Sequence, residues 1–179
     1  NYLLAKEYNG KFILRFEDTK PELVKKEFYK IMLDDFKWLG VKWNKLQYAS
    51  DNMELFYRLG EKLIKKNEAY VCYCAKEVAQ ENRMKGLNCK CRADNHQLEK
   101  WNEFFKSKEG SSTIRLKIDM QHKNTTMRDP TIFRIIDKPH PRTGKKYRVW
   151  PTYDLQNAIM DGFYGITHRI RTKEFELRS

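Results

Sequence analysis

In the first part of the chain, strand-like apolar runs alternate with apolar residues at helical spacing. The run over residues 11–16 predicts a strand, and a helix is predicted over about 20–39. Thr19 and Glu22 have the spacing of a capping box at the start of this helix, and Gly40 marks its end. The apolar residues of the helix share one face because they recur every three or four positions: Val24, Phe28, Ile31, Met32, Phe36 and Leu39.

The same order repeats in the next block of residues. Residues 46–48 predict a short extended segment, and Ser50 and Asp51 are N-cap candidates for a helix that continues to about Lys66. A strand is predicted over residues 69–72. The expected buried stripe of the helix consists of Leu55, Phe56, Leu59 and Leu63. The succession strand, helix, strand, helix, strand predicts an α/β fold with a doubly wound parallel sheet.

This alternation breaks after residue 71 and returns at about residue 148. The elements predicted beyond the break are helices near 75–84 and 95–106, strands near 113–118 and 132–136, a helix near 153–161 and a strand near 165–170. Turn-forming residues from Lys138 to Gly144 punctuate the middle block. The sequence therefore predicts three segments: an α/β part over 1–71, an inserted α+β subdomain over 72–147, and a return to the α/β part over 148–179.

The chain is strongly basic, with 36 Lys and Arg against 24 Asp and Glu and a net charge of +12. This balance favours a polyanionic partner, although a lysine-rich proteome produces the same composition. No apolar run has membrane-spanning length and no signal-peptide pattern is present, so we expect a cytoplasmic protein without a membrane partner. The first and last residues both read as parts of interrupted helices, so we expect a fragment of a larger protein.

The four cysteines form two close pairs, Cys72 with Cys74 and Cys89 with Cys91. Two such pairs can supply the four thiolate ligands of a tetrahedral zinc ion, and the helix predicted between them lets the chain double back. Small buried residues and exposed thiols in a reducing compartment are the alternative. We take a structural zinc site as the hypothesis.

Two polar clusters border predicted strands. Arg15, Glu17 and Asp18 lie at the carboxyl end of the first strand, where open α/β sheets bind ligands, and an arginine beside two acids can hold a zwitterion. A surface turn with a local ion pair explains the same residues. In the second cluster, Tyr153 and Asn157 share one helix face.

The strand predicted near 165–170 leads into the rest of the second cluster. It places Arg169 and Arg171 on the same side, and arginine suits bidentate binding of a carboxylate. A surface ion pair for Arg171 and a capped helix start for Tyr153 and Asn157 are the alternatives. His168 is interpreted as a packed histidine, since no serine or cysteine motif accompanies it.

Together these segments resemble the catalytic core of the class I glutamyl- and glutaminyl-tRNA synthetases, in the style of the archaeal and eukaryotic members. The resemblance runs through essentially the whole chain. It rests on Leu14-Arg15-Phe16-Glu17-Asp18-Thr19-x-Pro21, Trp38-Leu39-Gly40-Val41-x-Trp43, Tyr48-x-Ser50-Asp51, Met127-Arg128-Asp129-Pro130, His140-Pro141-Arg142-Thr143-Gly144, Tyr153-Asp154 and Gly165-Ile166-Thr167-His168.

The resemblance implies a Rossmann-type catalytic fold that is split by an insertion gripping the acceptor end of tRNA. It implies that Arg15 and Glu17 line the amino-acid pocket, with Glu17 facing the substrate ammonium group. Tyr153 would contact the same substrate, with Asn157 beside it. Arg171 falls where the family reads the substrate side chain, and an arginine there suits the carboxylate of glutamate.

The resemblance also implies ATP with Mg²⁺ as a substrate, with Thr172 and Glu174 near the nucleotide. The cysteine pairs resemble a zinc site in the insertion of some members. Basic candidates for contact with the tRNA acceptor end, most of them expected to be solvated surface, are Lys85, Lys90, Arg92, Lys123, Arg142, Lys145 and Lys146.

The function implied is that of a glutamate–tRNA ligase, which forms glutamyl-adenylate and transfers the acyl group to tRNA(Glu). Glutamine specificity is disfavoured, because a buried guanidinium facing a neutral amide lacks a counter-charge. The His-x-Gly-His and Lys-Met-Ser-Lys-Ser signatures of such enzymes do not occur in these residues, so this chain is expected to be inactive by itself. A non-catalytic, zinc-stabilised tRNA-binding module is the alternative from another class.

Overall fold

The computed structural model describes residues 1–178. The helices are α1 (Tyr2–Glu7), α2 (Lys26–Trp38), α3 (Met53–Lys65), α4 (Lys76–Lys85), α5 (Gln97–Phe104) and α6 (Tyr153–Tyr164). The strands are β1 (Ile13–Phe16), β2 (Lys45–Tyr48), β3 (Ala69–Cys72), β4 (Thr113–Leu116), β5 (Thr131–Ile135) and β6 (Val149–Pro151). None of the helices in this part of the chain combines the length and the apolar character needed to cross a membrane.

Strands β1 and β2 form a parallel pair, as the strand–helix–strand pattern predicts. Their register pairs Ile13 with Lys45 and Phe16 with Tyr48. Just before the pair, the Phe12 amide donates to Asn44 Oδ1 at 2.7 Å, and the Asn44 amide donates to the Phe12 carbonyl at 2.8 Å. Helix α2 makes the crossover that parallel strands require. The carboxyl ends of both strands therefore lie side by side.

Strand β3 does not extend this parallel pair. It is the edge of a four-stranded antiparallel sheet with the order β3-β4-β5-β6. All four residues of β3 are buried, and a short buried apolar run has the same pattern in parallel and antiparallel sheets. The antiparallel sheet includes β3, which ends at residue 72, and β6, which begins at residue 149. These are the two places where the sequence sets the limits of an insertion, so the sheet crosses both limits. The division into three segments therefore stays a prediction.

The main core lies between the antiparallel sheet and helices α3, α5 and α6. Phe56, Phe104, Phe133, Trp150 and Met160 are all fully buried there. The buried stripe of α3 is rotated from the predicted one. Phe56 was expected, but its buried companions are Met53, Gly60 and Ile64, whereas Leu55, Leu59 and Leu63 are half-buried.

Helix α2 starts later than predicted. Its first residue is Lys26, and no side chain caps its start. Because α2 begins at Lys26, Thr19 and Glu22 lie before the helix and do not form its capping box; Thr19 Oγ1 instead donates to Gln156 Oε1 of α6, at 2.9 Å. The predicted apolar face exists but faces solvent in the described structure: Phe28, Ile31, Met32 and Leu39 are exposed.

Two further local predictions differ from the structure. Ser50 and Asp51 lie in a 3-10 turn (Ala49–Asn52) ahead of α3 rather than capping it. The strand predicted near 165–170 is absent from the described residues. Helix α6 instead continues to Tyr164 and ends at Gly165, whose φ of +63° gives a left-handed cap. The chain then runs without regular structure to a 3-10 turn, Lys173–Arg178.

Candidate functional site

The last turn of α6 meets the side chains at the end of β1. Arg15 Nη1 lies 2.7 Å from Asp161 Oδ1, and Arg15 Nε donates to Gln47 Oε1 of β2 at 3.3 Å. Arg169 Nη1 lies 2.7 Å from the other carboxylate oxygen of Asp161. Asn157 Oδ1 also accepts from Arg169, at 2.5 Å. Asp161 therefore bridges two arginines that are far apart in sequence.

Asp161 is not among the site residues predicted from the sequence. The signal was available, because Tyr153, Asn157 and Asp161 are spaced four residues apart and so follow one face of a helix. Arg169 was predicted on a strand near 165–170, which gave no reason to expect it beside the last turn of α6. Asp161 lies on the polar face of α6, and its role follows from its ion pairs with Arg15 and Arg169.

Glu17 lies beside this cluster. Solvent still reaches the residue, yet desolvation by the surrounding protein raises the pKa of its carboxyl group. Arg15, a hydrogen bond with Asn157, and Arg171 act in the opposite direction, whereas Asp161 adds to the increase. The Glu17 carboxylate is thus held between positive groups without being fully compensated by them.

Arg171 reaches the same place from the irregular segment after α6. Its guanidinium carbon lies 5.2 Å from the centroid of the Tyr153 ring and 5.8 Å from that of Phe175. These two rings contact each other, with centroids 5.0 Å apart. The structure therefore brings together the five residues predicted for an amino-acid pocket: Arg15, Glu17, Tyr153, Asn157 and Arg171.

An open cleft of about 750 Å³ lies next to this cluster. Its lining includes Asp161, Arg169, Arg171, Thr172 and Lys173. Thr172, predicted to lie near a nucleotide, therefore faces the cleft. Glu174 is not among the lining residues, and a hydrogen bond with Thr172 lowers the pKa of its carboxyl group.

Asp18 does not contribute to the pocket as its neighbour Glu17 does. Its carboxylate is buried and accepts hydrogen bonds from the Ser50 amide at 2.8 Å, from Ser50 Oγ at 2.7 Å and from the Tyr29 hydroxyl at 2.7 Å. These bonds tie the end of β1 to the turn after β2. Asp18 is therefore a structural anchor of the segment that carries Glu17.

The four cysteines come together at the end of β3. The sulfur atoms of Cys72, Cys74, Cys89 and Cys91 all lie within 4.8 Å of one another. Cys89 Sγ is 3.5 Å from Cys72 Sγ and 3.2 Å from Cys74 Sγ. Zn–S bonds of about 2.3 Å in a tetrahedron separate the sulfurs by about 3.8 Å, so the cluster has the composition and the size of a four-thiolate zinc site.

Several residues proposed to contact tRNA have partners within the protein. Arg92 Nε lies 2.9 Å from Oδ2 of the buried Asp129, and Arg142 Nη2 lies 2.7 Å from Asp51 Oδ1. Lys85 Nζ lies 2.5 Å from Glu81 Oε1, and Lys146 Nζ lies 3.9 Å from Glu54 Oε1. The remaining candidates are exposed: Lys90, Lys123 and Lys145. Contact with tRNA stays a prediction for all of these residues.

Comparison with known proteins yields consistent matches. The sequence pattern of the family described as tRNA synthetases class I (E and Q), catalytic domain, matches residues 1–179. The glutamate–tRNA ligase of Pyrococcus horikoshii is 46% identical over 181 residues, and that of Methanothermobacter marburgensis is 42% identical over 176 residues. Each match covers 97% of this chain and 32% of the relative, so the chain spans about a third of the length of these curated relatives.

Solved structures show the same fold. A glutamate tRNA ligase from Elizabethkingia meningosepticum, crystallised in complex with its amino acid, superimposes with a TM-score of 0.68 at 20% identity. The match covers 98% of this chain and 39% of that protein. The glutamate-tRNA synthetase of Elizabethkingia anophelis gives a TM-score of 0.64 at 21% identity, over 98% of this chain and 40% of that one.

Proposed function

Because the chain belongs to the catalytic-domain family of the class I tRNA synthetases for glutamate and glutamine, we propose that it carries the amino-acid pocket of a glutamate–tRNA ligase. In the proposed reaction the carboxylate of glutamate attacks the α-phosphate of ATP, supplied with Mg²⁺, which forms glutamyl-adenylate and releases pyrophosphate. A hydroxyl at the acceptor end of tRNA(Glu) then takes the acyl group and AMP is released. The observation that carries the proposal is the convergence of Glu17, Tyr153 and Arg171 at the carboxyl end of β1.

In this proposal Glu17 binds the ammonium group of the substrate. Its carboxyl group is partly desolvated, and a cation next to it restores the interactions that burial removes. Arg15 lies in the wall of the pocket, where its guanidinium is bonded to Asp161 and Gln47. Tyr153 and Asn157 border the substrate from α6.

Arg171 selects the substrate side chain. A guanidinium can pair with the carboxylate of glutamate through two charge-assisted hydrogen bonds, whereas the amide of glutamine is neutral and has only one acceptor oxygen. The neighbouring rings of Tyr153 and Phe175 favour a fixed position of the guanidinium, since arginine packs well on aromatic faces. This geometry favours a glutamate enzyme over a glutamine enzyme.

The cleft beside the pocket would take the phosphates of ATP. Arg169, Lys173 and the Thr172 side chain line it, and positive groups next to phosphate oxygens stabilise the charge that develops on the pyrophosphate leaving group when the adenylate forms. The catalytic contribution of this part of the chain is orientation and charge stabilisation. Residues 72–147 would approach the acceptor end of the tRNA, with Lys90 and Lys145 among the exposed cations.

The first test compares the binding of L-glutamate and L-glutamine to the 179-residue chain by calorimetric titration, with the variant Arg171→Cys and the exposed-arginine control Arg58→Cys. We expect Arg171→Cys to weaken glutamate binding by about tenfold or more and to raise the relative affinity for glutamine, because a charge-assisted pair is lost. Arg58→Cys should change neither affinity. An unchanged preference for glutamate in Arg171→Cys would show that another residue reads the side chain.

We also propose that the four cysteines bind a structural Zn²⁺ ion. The size of the sulfur cluster supports this proposal, and a reducing cytoplasm would keep all four thiols available as ligands. Elemental analysis of the purified protein should find about one zinc per chain, and Cys89→Ser should lower that content strongly. A fully folded wild-type protein without metal would rule out this site.

A further inference from the structure

The segment that carries Glu17 has no regular secondary structure of its own. Glu17 is followed by Asp18 and Thr19, whose exposed fractions are only 3% and 4%. The position of the Glu17 carboxylate therefore depends on what holds these two buried residues. The Asp18 carboxylate and the Thr19 hydroxyl are bonded to Ser50 and Gln156, as described above.

The backbone of this segment has a separate anchor. His140 Nε2 lies 2.9 Å from the carbonyl oxygen of Asp18, which is 122 residues away in the sequence. The Thr19 carbonyl oxygen accepts a further bond from Arg134 Nη2, at 3.2 Å. Both anchors belong to the antiparallel part of the fold, on β5 and on the turn before β6. The antiparallel sheet thus positions a loop of the parallel pair.

The surroundings of His140 determine which of its nitrogens carries the proton. His140 is 2% exposed, and the centroid of its ring lies 5.1 Å from the centroid of the Trp150 ring. Its Nδ1 accepts from the backbone amides of Arg142, at 3.2 Å, and Thr143, at 3.4 Å. Because Nδ1 is an acceptor, the neutral ring must carry its proton on Nε2, where it donates to the Asp18 carbonyl.

The same turn also contacts the end of the second parallel strand. Arg142 Nη2 lies 2.7 Å and 2.9 Å from the two carboxylate oxygens of Asp51. Its guanidinium carbon lies 3.5 Å from the centroid of the Tyr48 ring. The His140 and Gly144 backbones bond to each other at 2.8 and 2.9 Å, which closes the turn. The turn 140–144 therefore links the ends of β1 and β2 through these contacts.

We propose that His140 is a positioning residue for the amino-acid pocket. The Nε2–H group fixes the peptide unit between Asp18 and Thr19, and through it the direction in which Glu17 presents its carboxylate to the substrate ammonium. This role rests on the proposed function in so far as glutamate is the ligand. His140 itself does not line the cleft, so it acts through the backbone rather than by touching substrate.

Two substitutions separate this role from a general contribution to stability. His140→Gln places an amide donor where Nε2 lies and keeps the bond to the Asp18 carbonyl. His140→Asn places its amide near the Nδ1 position, so it retains an acceptor for the turn but loses the donor to Asp18. We expect His140→Asn to weaken glutamate binding about three- to tenfold, the loss that one buried hydrogen bond produces, and His140→Gln to restore most of it.

Two controls complete the experiment. Lys138→Ala, on the exposed approach to the turn, should change nothing. Trp150→Phe removes packing against the His140 ring and should lower the melting temperature without a matching loss of glutamate affinity in the folded protein. If glutamate affinity follows melting temperature across all the variants, His140 is only a packing residue and the inference is wrong.

The backbone amide resonances of Glu17, Asp18 and Thr19 give a readout that needs no ligand. They should shift in His140→Asn and return towards the wild-type positions in His140→Gln. Resonances that stay unchanged in both variants would overturn the inference. If the wild-type chain bound no glutamate while the resonances shifted as expected, the proposed function would fail and the positioning role would stand.

Discussion

At the scale of single residues, the site depends on how its charges are divided between partners. Asp161 pairs with both Arg15 and Arg169, whereas no ion pair of comparable length involves Glu17 in the described part of the chain. Its partly desolvated carboxylate would gain from a cation placed next to it. The separation of roles between two acids explains why Glu17, rather than Asp161, is the candidate for the substrate ammonium.

Glu17→Gln is expected to stabilise the free protein at neutral pH and to weaken glutamate binding. The pKa of Glu17 is raised in the folded state, so ionising it opposes folding above that pKa, and the penalty disappears as the pH falls below the unfolded value of 4.5. Melting curves from pH 4 to about pH 8 should therefore show a gain for Glu17→Gln that vanishes in acid. A gain that is equal at all pH values would mean that ionisation is not its cause.

At the scale of elements, the packing of α3 against α5 and β5 depends on a glycine. A Cβ atom at Gly60 would lie 2.6 Å from Phe133 Cε2 and 2.8 Å from Trp101 Cη2, and both rings are buried. No signal in the helical pattern distinguishes Gly60 from a weak position in a helix. The close approach of the two aromatic side chains gives it a packing role.

Gly60→Ala should lower the free energy of unfolding by about 1–3 kcal/mol, because the rings must shift to admit a methyl group. Gly162→Ala in α6 is the matched control, since a Cβ atom there meets nothing within 4 Å. That control should be neutral or stabilising by up to about 1 kcal/mol, through the better helix propensity of alanine. Urea unfolding of both variants provides the measurement, and equal stabilities would contradict the packing role.

At the scale of the whole molecule, the described chain contains a parallel pair of strands and an antiparallel sheet. Residues of the antiparallel part hold the segment after β1 that carries Glu17. The cysteine cluster lies at the carboxyl end of β3, and the proposed amino-acid pocket lies where β1 meets α6. Next to the cysteine cluster, Tyr70 packs with Cys72 and Cys89 and donates to the buried Asp129, which also accepts from Arg92. We therefore expect the proposed metal site to stabilise the sheet. It takes part in none of the described contacts of the proposed pocket.

Removal of metal should destabilise the protein without changing the chemistry of the pocket. Incubation of the zinc-loaded chain with a strong chelator is expected to lower the melting temperature by several degrees, because structural zinc contributes directly to folding. The same treatment should have little effect on Cys89→Ser, which has already lost a ligand. A wild-type melting temperature that does not respond to loss of the metal would contradict a structural role.

The residues of the proposed pocket could be named from the sequence, and their role in binding stays a prediction. Glu17, Tyr153 and Arg171 were identified because a strand end, a helix face and a family motif are all written in short stretches of sequence. The helices and most strands follow from local periodicity in the same way. The later start of α2 and the missing strand after Gly165 do not follow from local periodicity: Thr19 is bonded to α6 rather than placed at a helix start, and α6 ends in a left-handed cap at Gly165.

Local spacing is enough to predict the parallel β1–α2–β2 unit, the polar face of α6 and the two cysteine pairs, since each depends on residues a few positions apart. The pairing of β3 with β4, the bridge from Asp161 to two arginines and the bond from His140 to the Asp18 carbonyl emerge only from the folded structure. These features join residues that are dozens of positions apart. No periodicity connects such residues, and the bonds between them are selected only when the whole core is packed.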